Sequence, residues 1–137
     1  MDENGERSHF HTRRGLILVD DDSRVLASLR FCLERAFSTT CAMSAEQALQ
    51  MAGEGGFAAI VSDYQLPDHD GLWLLEELRT RFPSMLRVLV SGAEVPDLQA
   101  HLQSGLVHRF FAKPVEPERI IAWLTQGLAG DASRVGE

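Results

Sequence analysis

The chain has 137 residues, 45% of them hydrophobic and 24% charged, with a formal net charge of -7. That length suffices for one domain with a real core, and the acidic balance argues against a basic surface that tracks nucleic-acid phosphates. No apolar run approaches the ~18–20 residues of a membrane-spanning helix. The N-terminus lacks the apolar stretch of a secretory signal, so a cytoplasmic protein without direct nucleic-acid or membrane contact is expected.

Residues 1–14 show no hydrophobic periodicity and read as a flexible tail. Its His9 and His11 are too few ligands for a firm metal site. Cys32 and Cys41 have no metal-ligand spacing and are expected as reduced, half-buried thiols.

From Gly15 the pattern is regular. "LILVD" is a continuous apolar run suited to a strand buried on both faces. It leads into three consecutive carboxylates, Asp20, Asp21 and Asp22, whose repulsion calls for a cation, a helix N-terminus or open water. Val25, Leu26, Leu29, Phe31, Cys32 and Leu33 then recur at roughly helical spacing after Asp22 and Ser23, both good N-caps. "TTCAM" is a short β-prone run. Ser44 with Gln47 has the form of a capping box, opening a helix to about residue 51 that "GEGG" ends.

"FAAIVSD" is a second buried strand ending in a carboxylate, and "GLWLLEELRTRF" is an amphipathic helix with Pro83 just past it. "LRVLVSG" is a further core strand, ending in a hydroxyl and a glycine. "VPDLQAHLQSG" is a weaker helix, "VHRFFAKP" a short strand, and "PERIIAWLTQGL" a last helix with proline at its start. "GDASRVGE" reads as a tail or the start of a linker. The division is therefore a tail over 1–14, a domain over 15–129 and a C-terminal segment over 130–137.

Five alternations of strand and helix predict a parallel sheet covered on both faces, with right-handed crossovers. In such sheets ligands bind outside the C-terminal strand ends. Asp20 and Asp21, Asp63, Ser91 and Lys113 all fall there. Each alone has an ordinary use, as a turn residue, a cap or a solvated charge; together they describe a site. Clustered oxygen donors suit a hard cation such as Mg²⁺, which offsets the repulsion of the acids. Lys113 and Ser91 supply a charge and a donor for an anion. A carboxylate so placed can act as a nucleophile toward a phosphoryl group.

The segments "ILVDDDS", "VSDYQLPDHDGLWLL", "VLVSGAE" and "FFAKPVEPERI" occur in order across almost everything from Gly15 to Leu128. Through them the sequence resembles the receiver domain of two-component response regulators. The resemblance implies a flavodoxin-like, doubly wound five-stranded parallel sheet, order 2-1-3-4-5, with five helices. It implies Asp63 as phosphoacceptor from a histidine kinase or phosphotransfer protein, without other enzyme activity. Asp20 and Asp21 become the acidic pair for Mg²⁺, Asp21 the more direct ligand, with Asp63 and the backbone carbonyl of Gln65 completing the set.

The same resemblance makes Lys113 the phosphate-binding lysine, before a Pro114 often preceded by a cis peptide, and makes Ser91 and Phe110 the switch pair. Phe110 also reads simply as a core aromatic. Ala93 and the Gln65 side chain border the phosphoryl position. Pro67, Asp70 and Gly71 serve as a turn and then a cap, and Trp73 and Trp123 as helix packing. Phosphorylation is expected to remodel the face of the fourth helix, fifth strand and fifth helix, a common dimerisation face, for a fused or separate output domain.

Two other readings use some of the same residues. A phosphorylation-independent interaction module of the same fold usually lacks one of the acidic or lysine positions, all of which are present here. A haloacid-dehalogenase-like phosphatase would use Asp20 and Asp22 as nucleophile and acid/base, which leaves Asp63 and the Lys113-Pro114 ending unexplained.

Overall fold

The computed structural model describes residues 13–136, with side chains described to residue 129. Five strands and five helices alternate: β1 (Gly15–Val19), α1 (Ser23–Leu33), β2 (Ser38–Ala42), α2 (Ala45–Gly53), β3 (Phe57–Asp63), α3 (Gly71–Arg81), β4 (Leu86–Ser91), α4 (Leu98–Gln103), β5 (Arg109–Ala112) and α5 (Pro117–Gly136). All strand pairs are parallel, in the order β2-β1-β3-β4-β5. This is the expected doubly wound, flavodoxin-like arrangement.

The apolar runs are continuous because each central strand is covered twice. Ile17, Val19, Ile60 and Leu89 face one core with Ala48 and Leu49 of α2 and Leu74, Leu75 and Leu78 of α3. Leu16, Leu18, Val61, Val88, Val90 and Phe111 face the other, with Leu26 and Leu33 of α1 and Ile120, Leu124 and Leu128 of α5. Alternate residues of one strand thus serve opposite cores, the period-two rule of a sheet. Burying one such Leu or Ile side chain stabilises the fold by roughly 1.5–3 kcal/mol.

Helix starts follow the side chains expected to cap them. Asp22 accepts from the Arg24 and Val25 amides, Ser44 from Gln47, and Asp70 from Trp73. Gln47 reaches back to the Met43 amide at 2.8 Å, one residue earlier than a standard capping box.

Three boundaries differ from expectation. Arg13 donates to Glu34 O at 2.6 Å and Arg14 O accepts from Ser38 N at 2.9 Å, so ordered contacts begin before Gly15; His9 and His11 lie outside the described residues. The α4 helix spans only Leu98–Gln103, because Asp97 before it is left-handed (φ 54°) and gives no side-chain cap, while Gly105 (φ 81°) follows its end. The α5 backbone stays helical to Gly136, past Leu128, where the apolar pattern stops. Cys32 and Cys41 are free and half-buried. Among the described residues no helix is long and apolar enough to cross a membrane.

Candidate functional site

Sheet register brings the site together. Val19 pairs with Ser62, so Asp20 and Asp63, each next in its strand direction, come level at the C-terminal edge. Ser91 pairs with Ala112, which brings Lys113 to the same edge. Asp20 and Asp63 are only 4% and 8% exposed, whereas Asp21 is exposed.

Lys113 joins the two buried acids. Its Nζ donates to Asp20 Oδ2 at 3.0 Å and to Asp63 Oδ2 at 3.2 Å. Asp20 Oδ1 accepts the Asp22 amide at 2.9 Å, which fixes its carboxylate at the turn into α1. The Lys113-Pro114 peptide is cis. The backbone of Asp63 is fixed as well: Ser62 Oγ donates to Asp63 O at 2.9 Å, and Tyr64 N donates to Val90 O at 2.9 Å. Gly71 makes the close approach possible, since a Cβ there would stand 2.4 Å from Asp63 O.

Carboxylate oxygens of Asp20, Asp21 and Asp63 lie within 4.8 Å of one another. With all three ionised and one lysine ammonium beside them, the site is two charges short of neutral. Burial, opposed by Lys113 and then reinforced by Asp20, leaves the Asp63 carboxyl above the usual carboxylate range; the Lys113 bond and the Gln65 amide pull it back only in part. Burial likewise works against the Lys113 charge, but its bonds to Asp20 and Asp63 outweigh that and raise its pKa. An all-oxygen, over-negative cluster of this kind fits a hard divalent cation, and Asp20, Asp21 and Asp63 are the carboxylates that could hold one.

Ser91 is at the edge but turned aside. It is 2% exposed, and its hydroxyl donates to Ala93 O at 2.8 Å and accepts from Ala93 N at 2.9 Å. Lys113 N donates to Ser91 O at 2.9 Å, so the backbones are joined. Phe110 is half-buried against the core under α2, α3 and α4. The Gln65 amide faces the Asp63 carboxylate. Trp73 and Trp123 pack against opposite cores, as expected. A cavity of about 590 Å³ adjoins Asp63 and Lys113, with Leu18, Val25, Leu29, Pro114 and Val115 in its lining.

Two features escaped the sequence reading. Asp68 Oδ1 and Oδ2 accept the Ala45 and Glu46 amides, each at 2.9 Å, and those partners lie 22 and 23 residues away. Arg87, 3% exposed within β4, donates to the carbonyls of Leu106, Met85, Gly105 and Pro83. An arginine inside an apolar strand was a visible signal; the carbonyls that receive it were not.

The fold and this acidic edge define a class, and comparison with known proteins agrees with it. The family model for the response regulator receiver domain matches residues 16–125. The chain belongs to the response regulator receiver domain family. It is 29% identical over 126 residues to the hydrogenase transcriptional regulatory protein HoxA of Cupriavidus necator, covering 88% of this chain and 26% of that protein. The chain thus spans about a quarter of that curated relative's length. Among solved structures, a CheY-like receiver domain protein from Methanospirillum hungatei JF-1 superposes with a TM-score of 0.84 at 23% identity, over 90% of this chain and 99% of that one. The signal receiver domain of an HD domain-containing protein from Pseudomonas fluorescens Pf-5 gives 0.78 at 28% identity, over 91% and 93%.

Proposed function

We propose that Asp63 is the phosphoacceptor of a two-component signalling step, with a phosphohistidine of a sensor kinase or phosphotransfer protein as donor. The observation that carries this reading is the Lys113 bridge between Asp20 and Asp63 at the edge where three carboxylates meet. In the transfer an Asp63 oxygen forms a bond to phosphorus as the P–N bond of the donor breaks. The departing imidazole keeps that electron pair and takes a proton from solvent.

Asp20, Asp21, Asp63 and the Gln65 carbonyl would hold Mg²⁺, and the bound ion would supply positive charge to offset that of the phosphoryl oxygens. Lys113 then releases its Asp63 contact in favour of the new phosphoryl oxygens, keeping its charge-assisted bond to Asp20. The mostly apolar crevice beside Asp63, lined by Val25, Leu29, Pro114 and Val115 among others, suits the apolar flank of a donor helix.

For the switch, the Ser91 hydroxyl leaves Ala93 for a phosphoryl oxygen, and Phe110 follows inward. The adjoining face, α4, β5 and α5, is then the surface that changes, for a partner, a second copy or an output domain. The α4 helix is suited to move, being six residues long with no fully buried side chain. The chain acts as a cytoplasmic signalling domain, and its own chemistry is limited to gaining and losing the Asp63 phosphoryl group.

The test mixes the protein with Mg²⁺ and acetyl phosphate or a beryllofluoride salt, beside Asp63→Asn. Modification and a Mg²⁺-dependent spectral change in the wild type alone are expected. No modification and no Mg²⁺-dependent change in the wild type would favour a phosphorylation-independent module instead.

A further inference from the structure

The segment that follows Asp63 is fixed at its ends and again in its middle. At its ends, Tyr64 N donates to Val90 O at 2.9 Å and Gly71 N to Tyr64 O at 2.7 Å. In its middle, both carboxylate oxygens of Asp68 take adjacent amides at the start of α2, from Ala45 and Glu46. Those amides are among the orphan donors of a helix N-terminus. Ser44 accepts only the next amide along, from Gln47, at 3.1 Å, so Asp68 supplies from a distant loop what the local cap leaves open.

The residue after Asp68 reinforces the same junction. His69 stacks on Trp73 with ring centroids 3.6 Å apart and planes 9° from parallel, and its Nε2 meets Glu46 Oε2 at 3.0 Å. The loop that carries Gln65 is thereby tied across to a different helix, and between Tyr64 and Asp68 run only Gln65, whose amide faces Asp63, Leu66, which packs against the core, and Pro67. Three residues between two fixed points leave a backbone carbonyl little range.

We infer that Asp68 is a positioning residue for the acidic site: by tying the loop to the start of α2 it holds the Gln65 carbonyl where Mg²⁺ would take it. It touches neither the cation nor the phosphoryl group. The inference rests on the Mg²⁺-dependent reading of Asp63. Outer partners that orient metal ligands commonly account for 10–100-fold in metal affinity.

The experiment measures Mg²⁺ affinity by calorimetry on the full chain for wild type, Asp68→Ala, Asp68→Asn and Ser44→Ala, with acetyl phosphate labelling at limiting and saturating Mg²⁺. Asp68→Ala should weaken Mg²⁺ binding about tenfold. Labelling is expected to fall at limiting Mg²⁺ and to return to within about twofold of wild type at saturation, because the transfer step itself is intact. Asp68→Asn keeps one acceptor oxygen and should fall between. Ser44→Ala weakens α2 without releasing the loop, so it should lower the melting temperature and leave Mg²⁺ affinity unchanged. Equal Mg²⁺ affinity in Asp68→Ala and wild type overturns the inference while leaving the Asp63 reading standing. So does a matching loss in Ser44→Ala, which would reduce Asp68 to a helix cap. A wild type that neither binds Mg²⁺ nor labels overturns both.

Discussion

Lys113 Nζ lies 3.2 Å from Asp63 Oδ2 while also holding Asp20 at 3.0 Å, so one ammonium serves two buried carboxylates. That ratio leaves Asp63 under-compensated, and its carboxyl is raised chiefly by burial, then by Asp20 against the pull of Lys113. A carboxyl raised on folding binds more protons in the native than in the unfolded state between its two pKa values. Stability therefore falls as pH rises through that window, and at neutral pH ionised Asp63 costs the fold free energy.

Asp63→Asn should accordingly stabilise the metal-free protein at pH 7 and raise its melting temperature, at roughly 4 °C for each kcal/mol gained. The gain should vanish below the carboxylate range, where Asp63 is already protonated, and shrink with millimolar Mg²⁺. Thermal melts of both proteins at pH 3.5 and pH 7, with and without Mg²⁺, check this; a destabilised Asp63→Asn at pH 7 would contradict it. The raised Lys113 pKa acts in the opposite region: its stabilisation is complete below the ordinary lysine range and is lost as pH climbs through the higher folded value.

Asp21 and Asp22 should separate into metal ligand and helix cap. Asp21 is exposed and belongs to the three-carboxylate cluster, whereas Asp22 Oδ1 accepts the Arg24 amide at 2.9 Å. Asp21→Asn should weaken Mg²⁺ binding by at least about tenfold with little change in melting. Asp22→Ala should cost about 1 kcal/mol of stability and leave Mg²⁺ affinity nearly unchanged. Calorimetric titrations and urea unfolding of both variants measure the split; equal losses of affinity would undo it.

Arg87 should matter to folding and not to the site. Its guanidinium has four carbonyl acceptors, with Nε to Leu106 O at 2.9 Å and Nη2 to Gly105 O at 3.0 Å among them. These tie the turn before β5 to the turn before β4. Arg87→Ala strands these carbonyls, the buried Leu106 and Met85 contacts at ~1–3 kcal/mol each when nothing replaces the donor, and a loss of about 3–5 kcal/mol in urea unfolding is expected. Acetyl phosphate labelling of the folded fraction should match wild type.

Ser91→Ala should separate binding from response. The hydroxyl bonds only Ala93 in this state, so Mg²⁺ affinity should hold and stability should change by about 1 kcal/mol or less. Backbone NMR shifts around Phe110 on adding Mg²⁺ and beryllofluoride should nearly disappear relative to wild type. Full-sized shifts in Ser91→Ala would remove Ser91 from the switch.

Much of this is legible in the sequence itself. Doubly covered strands carry their burial as unbroken apolar runs, so "LILV", "AAIV" and "RVLV" marked the sheet, and Asp22, Ser44 and Asp70 marked helix starts through local rules. The acidic edge followed from where those runs end. What stayed hidden depends on partners that sequence distance conceals. Asp68 finds its amides 22 and 23 residues away, and Arg87 is satisfied by main-chain carbonyls, which every residue has. The shortening of α4 turns on the left-handed Asp97, a backbone choice that "VPDLQ" does not announce.

Asp63, and no other acid at this edge, is the proposed carrier of the phosphoryl group. The most direct measurement is acetyl phosphate labelling in Mg²⁺, reductive trapping of the acyl phosphate with borohydride, and peptide mass mapping. Reduction confined to Asp63 in the wild type, with none in Asp63→Asn, is expected. Trapping at Asp20, or trapping that persists in Asp63→Asn, would contradict the assignment and return the site to a phosphatase-like reading.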